Sequence, residues 1–431
     1  MLRIPGPLRR RGFLALWLAQ VVSSLGDRLY EIALIWLVYE QTGDPLAVSV
    51  VTFASVCSAA AATVPAGAIV DQVDRRWILV VSHLVRGGAV GVIPLLGAAN
   101  GLLTLLVGVA VVSGVAEAFF GPAKNALIPE LVPRAELDTA NSIAYVSRNG
   151  SQVLYAVAGV VVGVLGPMVA FSIDAATFFL AACVLFAIPN ASRRAGELAD
   201  ETAAPEGRTT RSVASLAEFR RALELLKTNV YLPPIIALSV VSSFAIGPIG
   251  IVIPFYIESI AAPSSAVFGA LYAAFFVGML LGGVLLSTTD LSLSRGRQIT
   301  LGTIFSGIAL VAMALLPPLV GPSLLVAAGL FLLSGVFTIY VKIPIRTYVQ
   351  RSIPNEHLGK VLSLLNLAML VAPPTSIVVA GVLLETAGPI VVLAGIGGLV
   401  TVAGLASLAT PLWRAGEPGA TSPSGVARAD E

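Results

Sequence analysis

The chain has 431 residues, of which 57% are hydrophobic and only 12% are charged, and its mean hydropathy is +0.92. An ordinary soluble domain is about one quarter charged, so this composition excludes a soluble globular protein and indicates that a bilayer surrounds nearly the whole chain. The formal net charge of +2 is too small to indicate binding of nucleic acid or another polyanion.

Apolar runs long enough to cross a bilayer, about 20 residues each, recur along the chain. They predict an all-α integral membrane protein with twelve transmembrane helices. The first six runs are 13–39, 46–70, 77–98, 101–120, 141–165 and 167–188, and the second six are 231–257, 265–287, 299–317, 321–341, 361–384 and 388–412. The first run follows Arg9, Arg10 and Arg11 as in a signal peptide, but its length and internal charges favour a retained helix.

Two long polar stretches divide the chain into parts. We predict four segments: an N-terminal six-helix bundle at 1–188, a cytoplasmic linker at 189–229, a C-terminal six-helix bundle at 230–413 and a disordered cytoplasmic tail at 414–431. Within the linker, apolar residues at helical spacing between 215 and 226 predict an amphipathic helix on the membrane surface.

The placement of lysine and arginine predicts the topology. All but three of the 26 lie in the termini, in the loops that follow even-numbered helices, or at the helix ends beside those loops. The exceptions, which lie inside predicted helices, are Arg28, Arg86 and Arg148. Because short loops rich in these residues stay in the cytoplasm, we expect both termini there.

An internal repeat supports the division into two halves. Residues 122–137 align with residues 344–358, and each stretch follows the fourth predicted helix of its half. Two parallel repeats of this kind are suited to alternating access, in which similar bundles rock about a shared site.

Four stretches, 19–43, 67–76, 121–143 and 171–182, resemble the major facilitator superfamily in its branch of macrolide-efflux and enterobactin-exporter-like proteins. The resemblance covers both halves. It implies a fold of two six-helix repeats in the cell inner (plasma) membrane, working as a monomer. It also implies export of a small, mostly apolar or amphiphilic molecule, such as a drug, a macrolide, a siderophore or a secondary metabolite, by drug:proton antiport.

The loop between the second and third helices carries the most specific part of the resemblance. In the superfamily this loop is a cytoplasmic latch that stabilises the outward-facing state, and the resemblance assigns that role to Gly67, Asp71, Arg75 and Arg76. We expect Gly67 to let its helix end approach a neighbour, and Asp71 to face a helix N-terminus or an arginine. The alternative is that Arg75 and Arg76 only set the topology.

The fifth helix departs from the pattern of many drug/proton antiporters. Those proteins carry a glycine-proline signature there, whereas residues 152–157 of this chain read QVLYAV. This departure leaves the antiport assignment open.

Ionisable residues at bilayer depth are costly and mark transport pathways, and here they concentrate in the first half. Asp27 and Glu31 are four residues apart and share a helix face, so we hypothesise that they bind the coupling proton or a cationic group of the substrate. The alternative is that Arg28, three residues before Glu31, neutralises it and leaves Asp27 alone.

The other charges within predicted helices have weaker assignments. The depths of Glu117 and Arg148 allow an ion pair that closes an inner gate, or contacts with substrate. Asp174 is expected to have a packing role. His83 and His357 have no metal-ligand partners at suitable spacing, and Cys57 and Cys183 lie inside apolar runs, so neither a metal site nor a cofactor is predicted.

Other functions remain as alternatives. A proton-coupled importer of the same fold and a lysophospholipid flippase are both compatible with the sequence. An enzyme is not expected, because no nucleophile with a base and no metal cluster falls at bilayer depth. No GxxxxGK[ST] loop indicates a nucleotide-driven pump, so the partners we predict are a small-molecule substrate, protons and the lipid bilayer.

Overall fold

The computed structural model describes residues 5–96, 101–188, 229–289, 293–320, 323–353 and 355–415. Within these ranges the elements are α-helices and short 3₁₀ turns, and no strand occurs. The chain divides into two compact units, with the boundary between residues 213 and 214. The predicted amphipathic helix lies outside the described residues, as do the linker except for residue 229 and the tail except for residues 414 and 415. The limits predicted for the four segments therefore stay a prediction.

The first unit contains seven described helices. They are α1 (Arg11–Thr42), α2 (Pro45–Val70), α3 (Arg75–Leu96), α4 (Leu102–Leu131), α5 (Leu137–Gly150), α6 (Leu154–Leu165) and α7 (Pro167–Phe186). The sequence explains the sharp turn between α1 and α2: Gly43 takes a left-handed conformation with φ 59°, and the Asp44 side chain accepts a hydrogen bond from Leu46 N. The predicted fifth span corresponds to α5 and α6, which a 3₁₀ turn at Ser151–Val153 joins.

The second unit contains six described helices. They are α8 (Leu232–Ile246), α9 (Ile249–Ile260), α10 (Ser265–Thr288), α11 (Arg295–Val320), α12 (Leu324–Ser352) and α13 (Asn355–Leu408). The predicted seventh span, 231–257, is not straight, because α8 and α9 meet at an angle of 49°. Gly247 and Pro248 lie at this bend, and proline lacks the N–H that would continue the helical ladder.

Within the described residues, nine helical segments are long and apolar enough to cross a membrane, or ten if α8 and α9 form one span. Helix α1 is not among them, because Asp27, Arg28 and Glu31 in its middle lower its hydropathy. Helix α13 counts once although it covers the last two predicted runs. It has one non-helical residue, Gly388, with φ 77° and ψ 168°.

Glycine-proline pairs terminate the predicted fifth and eleventh spans in the same way. Gly166 has φ 83° and ψ 159° before Pro167, and Gly388 has φ 77° and ψ 168° before Pro389. Proline drives the preceding residue to an extended ψ, and the positive φ is accessible to glycine without strain. The two pairs lie 222 residues apart, at nearly the offset of the repeat found in the sequence.

Helix packing in the first unit brings α1, α3 and α7 together. Helix α1 packs against α7 and α6, α3 against α7 and α4, and α2 against α4. Near one end of these helices, Phe13, Leu79, Leu127 and Leu185 form part of a buried apolar cluster. The charged residues in the middle of α1 have partners on α3 and α6.

In the second unit, α11 packs against α12 and α13, and α10 packs against α12. Small residues set the distance between α10 and α12. A Cβ at Gly278 would overlap the carbonyl oxygen of Leu332, and a Cβ at Gly335 would overlap that of Phe275. Such close backbone approach replaces hydrophobic burial as the source of helix association in a bilayer.

Candidate functional site

The charged residues in the middle of α1 are held by two separate groups of partners. Asp27 pairs with Arg86 of α3, with 2.5 Å between the Asp27 carboxylate and the guanidinium. The side chains are 19% and 7% exposed respectively. The Arg86 guanidinium also lies 4.3 Å from the centroid of the Phe178 ring on α7. A charge pair in this environment compensates two groups that would each be expensive alone.

Arg28 and Glu31 form the second group. Arg28 Nη1 lies 3.0 Å from a Glu31 carboxylate oxygen, donates to Gln152 Oε1 at 3.4 Å and donates to the Tyr155 hydroxyl oxygen. The Tyr155 hydroxyl in turn donates to Glu31. The Arg28 guanidinium also lies 4.9 Å from the centroid of the Tyr155 ring. Thus one hydroxyl on α6 bridges both members of an ion pair on α1.

The two carboxylates predicted to act together are therefore each bound by an arginine. Asp27 and Glu31 are one turn apart on α1, but their direct partners are Arg86 and Arg28. The alternative interpretation of the sequence predicted an ion pair between Arg28 and Glu31, and the structure contains it. That interpretation left Asp27 alone, whereas in the structure Asp27 is paired with Arg86. The Glu31 side chain remains 43% exposed.

Gln152 and Tyr155 are site residues whose contacts the sequence did not predict. The signal was visible, because they stand in the stretch where the glycine-proline signature was expected. The 3₁₀ turn at Ser151–Val153 lies directly before α6, and such turns inside a span often mark functional positions. The departure from the family pattern is thus accompanied by polar contacts to Arg28 and Glu31.

Glu117 and Arg148 are not brought together. Both side chains are exposed, and the described part of the chain contains no ion pair between them. Glu117 on α4 lies within electrostatic range of Arg86 and Glu31, whereas Arg148 on α5 lies within range of Lys124. The role predicted for these two residues, an ion pair at an inner gate or contact with substrate, therefore stays a prediction.

Arg75 and Arg76 tie the beginning of α3 to two other helix ends. Arg75 pairs with Glu130 of α4 at 3.0 Å. Arg76 donates to the carbonyl oxygen of Leu185 at 3.2 Å and to that of Phe186. These carbonyls lie at the C-terminus of α7, where a cation is favourable for the helix dipole. The two arginines thus make specific contacts within the first unit.

The other two residues of the predicted latch, Asp71 and Gly67, differ from the two arginines in their surroundings. Asp71 is exposed and directly follows the last residue of α2. The neighbouring Asp74, and not Asp71, accepts a hydrogen bond from the backbone N–H of Arg76, at 2.9 Å. A Cβ at Gly67 would meet nothing within 4 Å, so the close helix approach expected there is absent from the described residues. The role of these residues in a latch stays a prediction.

Elsewhere in the first unit, Asp174 of α7 is 0% exposed and His83 of α3 is 1% exposed. The His83 ring lies 5.0 Å from the Phe120 ring and 5.6 Å from the Phe178 ring, measured between centroids. Among the described residues, no group of three or more His, Cys, Asp or Glu side chains is placed to hold a metal ion. The side chain of His357 is outside the described part.

Long apolar helices in two compact units, with paired charges in the middle of one helix, define a multi-pass membrane transporter rather than an enzyme. The sequence profile of the Major Facilitator Superfamily matches residues 16–374, and the chain belongs to this family. It is accordingly a multi-pass protein of the cell inner membrane.

Bacterial efflux proteins are among the proteins to which the sequence of this chain is similar. The chain is 28% identical to the multidrug efflux pump Tap of Mycolicibacterium fortuitum, over 88% of this chain and 91% of that protein. It is 24% identical to macrolide efflux protein A of Streptococcus pyogenes, over 87% of this chain and 90% of that protein. The predicted membership of an efflux branch is in keeping with these similarities.

Solved structures of the same fold share little sequence. A bacterial homolog of the human lysosomal transporter Spinster, in an inward-facing and occupied conformation, gives a TM-score of 0.71 at 14% identity, covering 94% of this chain and 98% of that one. The D-xylose-proton symporter gives 0.65 at 15% identity, covering 91% and 97%. At these identities the comparison establishes the fold and not the substrate.

Proposed function

We propose that the protein is a proton-coupled exporter, an antiporter that moves a small, mostly apolar or amphiphilic molecule out of the cell by alternating access. The substrate class comprises drugs, macrolides, siderophores and secondary metabolites. Two named relatives with matches over most of the chain are efflux proteins, which supports the outward direction. The protein would act as a monomer in the lipid bilayer.

The proposal includes twelve spans in two six-helix repeats, with both termini in the cytoplasm. Two features raise the ten candidate spans, which count α8 and α9 as one, to twelve. Helix α1 is 32 residues long, more than enough to cross a bilayer despite its charges. Helix α13 is 54 residues long and is interrupted at Gly388, so it suffices for two spans. The distribution of lysine and arginine supports the orientation.

The observation that carries the coupling mechanism is the ion pair between Asp27 and Arg86. A proton on Asp27 would remove the charge that holds Arg86, and the guanidinium would then seek another partner. Because a lone charge at this depth is unfavourable, proton binding and side-chain rearrangement are necessarily linked. Asp27 therefore acts as a coupling carboxylate in the proposed cycle.

Glu31 has the complementary role of contacting substrate. Its carboxylate is 43% exposed, while Arg28 and the Tyr155 hydroxyl hold it in place. A cationic group on a substrate can compete with Arg28 for this carboxylate. Glu117 and Arg148 are exposed polar positions in the same unit, and we retain them as further candidates for contact with substrate.

The latch remains part of the proposal. The contacts of Arg75 with Glu130 and of Arg76 with the end of α7 support a role in holding these ends of the first unit together. Gly67 and Asp71 are included on the family resemblance alone.

The function is tested by reconstitution in proteoliposomes with an imposed proton gradient. Labelled erythromycin, a catecholate siderophore and a lipophilic cationic dye are screened for uptake into inside-out vesicles. We expect at least one compound to accumulate and an uncoupler to abolish the accumulation. Asp27→Asn should lose it, whereas Glu40→Gln, which removes an exposed carboxylate at the end of the same helix, should keep it.

Other outcomes contradict the proposal in defined ways. Proton-dependent accumulation in right-side-out vesicles alone would indicate an importer. Movement of labelled lysophospholipid, with no uptake of the three compounds, would indicate a flippase. Full proton-driven transport by Asp27→Asn would reject Asp27 as the coupling carboxylate.

A further inference from the structure

The carboxyl group of Asp174 is fully buried, and it lacks a hydrogen-bond partner among the described residues. It is 0% exposed, and neither of its carboxylate oxygens has a partner within the described residues. The Thr177 hydroxyl one turn away donates to the backbone carbonyl of Asp174 at 2.8 Å and not to the carboxylate. A buried carboxylate in a packing role would be expected to have its oxygens satisfied, since an unpaired charge here is far costlier than a neutral group.

The surrounding helices are shaped around this carboxyl. Gly26 of α1 faces it, and a Cβ at that position would overlap the Asp174 carboxylate and the Thr177 hydroxyl. Gly26 directly precedes Asp27 in sequence. The backbone of α1 therefore comes close to Asp174 at the point where the coupling carboxylate begins.

Arg86 has an unused donor in the same region. Its guanidinium donates to Asp27, but its buried Nε has no partner in the described residues. The Arg86 guanidinium lies over the ring of Phe178, which is one turn from Asp174 on α7. The same guanidinium is within electrostatic range of Asp174. Gly87, the next residue on α3, packs closely enough on α7 that a Cβ would lie 3.3 Å from the carbonyl oxygen of Ala175.

We propose that Asp174 is a proton-binding site and that Arg86 exchanges between Asp27 and Asp174 during transport. This inference rests on the proposed function, because it names the second carboxyl of the same coupling cycle. In the state described here, Arg86 is bound to Asp27 and Asp174 carries the proton.

The exchange conserves charge and atoms. In one state the group consists of a neutral Asp174 carboxylic acid and an ion pair of Arg86 with the Asp27 carboxylate. In the other, Arg86 is paired with the Asp174 carboxylate and Asp27 is a neutral carboxylic acid. One O–H bond breaks on Asp174 and one forms on Asp27, so the proton moves toward the more exposed carboxyl while the three side chains together keep one positive and one negative charge.

Other ionisable groups on α1, α3 and α4 lie within electrostatic range of Arg86 or Asp174. They are Tyr30 and Glu31 of α1, His83 of α3 and Glu117 of α4. Both ring nitrogens of His83 and the hydroxyl of Tyr30 are buried without a hydrogen-bond partner in the described residues. Within the described residues, Arg86 is the permanently charged cation of this group, and it is therefore the partner that can hold Asp174 as a carboxylate.

The exchange is tested by measuring carboxylic acid groups and transport in the same variants. Infrared spectra of the purified wild-type protein at neutral pH should contain a carboxylic acid C=O band that Asp174→Asn lacks. Asp174→Asn should also lose proton-driven accumulation of labelled erythromycin to the level seen with an uncoupler, yet retain exchange of labelled for unlabelled erythromycin. Glu40→Gln should keep the band and both transport modes.

A second variant keeps the test decisive if Asp174→Asn does not fold. Arg86→Gln should show a stronger carboxylic acid band than wild type, because Asp27 then has no cation and takes a proton as well. An unchanged band in Arg86→Gln, or a wild-type band that persists in Asp174→Asn, would overturn the exchange. Absence of proton-driven transport by the wild type, with the band present and dependent on Asp174, would reject the proposed function and leave the proton site standing.

Discussion

The Tyr155 hydroxyl on α6 accepts a hydrogen bond from Arg28 and donates one to Glu31, the two members of an ion pair on α1. This single group connects the charged middle of α1 to the part of the fifth predicted span that departs from the family signature. In the proposed transport cycle, contact of Glu31 with substrate would therefore depend on α6 as well as on α1.

Replacing Tyr155 by phenylalanine tests this relationship. Tyr155→Phe removes the bridging hydroxyl but keeps the ring over Arg28, so the protein should fold normally. We expect the KM for a cationic dye to rise by roughly 10- to 150-fold, because the hydrogen bond of the hydroxyl to the charged Glu31 carboxylate is lost. Initial rates of uptake in proteoliposomes measure this. Tyr145→Phe, at an exposed tyrosine on α5, is the matched control, and an equal KM in both variants would contradict the assignment.

A neutral double variant separates stability from coupling at the ion pair between Asp27 and Arg86. Removing one partner of a buried pair can cost about 3–5 kcal/mol, whereas replacing both charges by neutral groups can be nearly neutral. We expect the double variant Asp27→Asn with Arg86→Gln to match the wild type in yield and thermal unfolding in detergent. It should still exchange labelled for unlabelled substrate but fail to accumulate substrate in response to a proton gradient. Accumulation equal to wild type would exclude this pair from coupling.

The contacts of Arg76 predict a stability effect. Arg76 is buried and donates to two carbonyls at the C-terminus of α7. Arg76→Ala should destabilise the protein by about 1.5–3 kcal/mol, because hydrogen bonds from a charged donor are lost and the helix end is left uncapped. Thermal unfolding in detergent provides the measurement. Arg134→Ala removes an exposed arginine between α4 and α5 and should change stability little; similar losses in both variants would argue against the capping role.

Two glycines on α12 provide a matched test of helix packing in the second unit. A Cβ at Gly335 would overlap the backbone of α10, whereas a Cβ at Gly329 meets nothing within 4 Å. Gly335→Ala should therefore destabilise the protein by about 1–3 kcal/mol through forced separation of the helices. Gly329→Ala should leave stability unchanged or raise it by up to about 1 kcal/mol, since alanine is the better helix former. Equal unfolding temperatures would show that the helices do not approach as described.

Much of the fold could be read from local patterns. Hydropathy located the helices, and the Gly-Pro pairs at Gly166 and Gly388 interrupt the helical backbone where apolar runs nearly touch in sequence. The same patterns predicted two uninterrupted spans where the structure has a bend at Gly247 and a 3₁₀ turn after Gly150. Both features change the backbone geometry without changing the hydropathy.

From the sequence alone it follows that Asp27, Arg28 and Glu31 place three charges in the apolar middle of α1 and that each needs a partner. Which partners they have depends on how the helices pack. Arg28 and Glu31 are close on one helix, so their pairing could be anticipated, but Asp27 meets Arg86 from a position 59 residues away. The physical reason is that hydropathy and helical period are properties of neighbouring residues, whereas partner choice depends on which helices pack together. Until α1, α3 and α7 are assembled, several arginines would satisfy Asp27 equally well by charge.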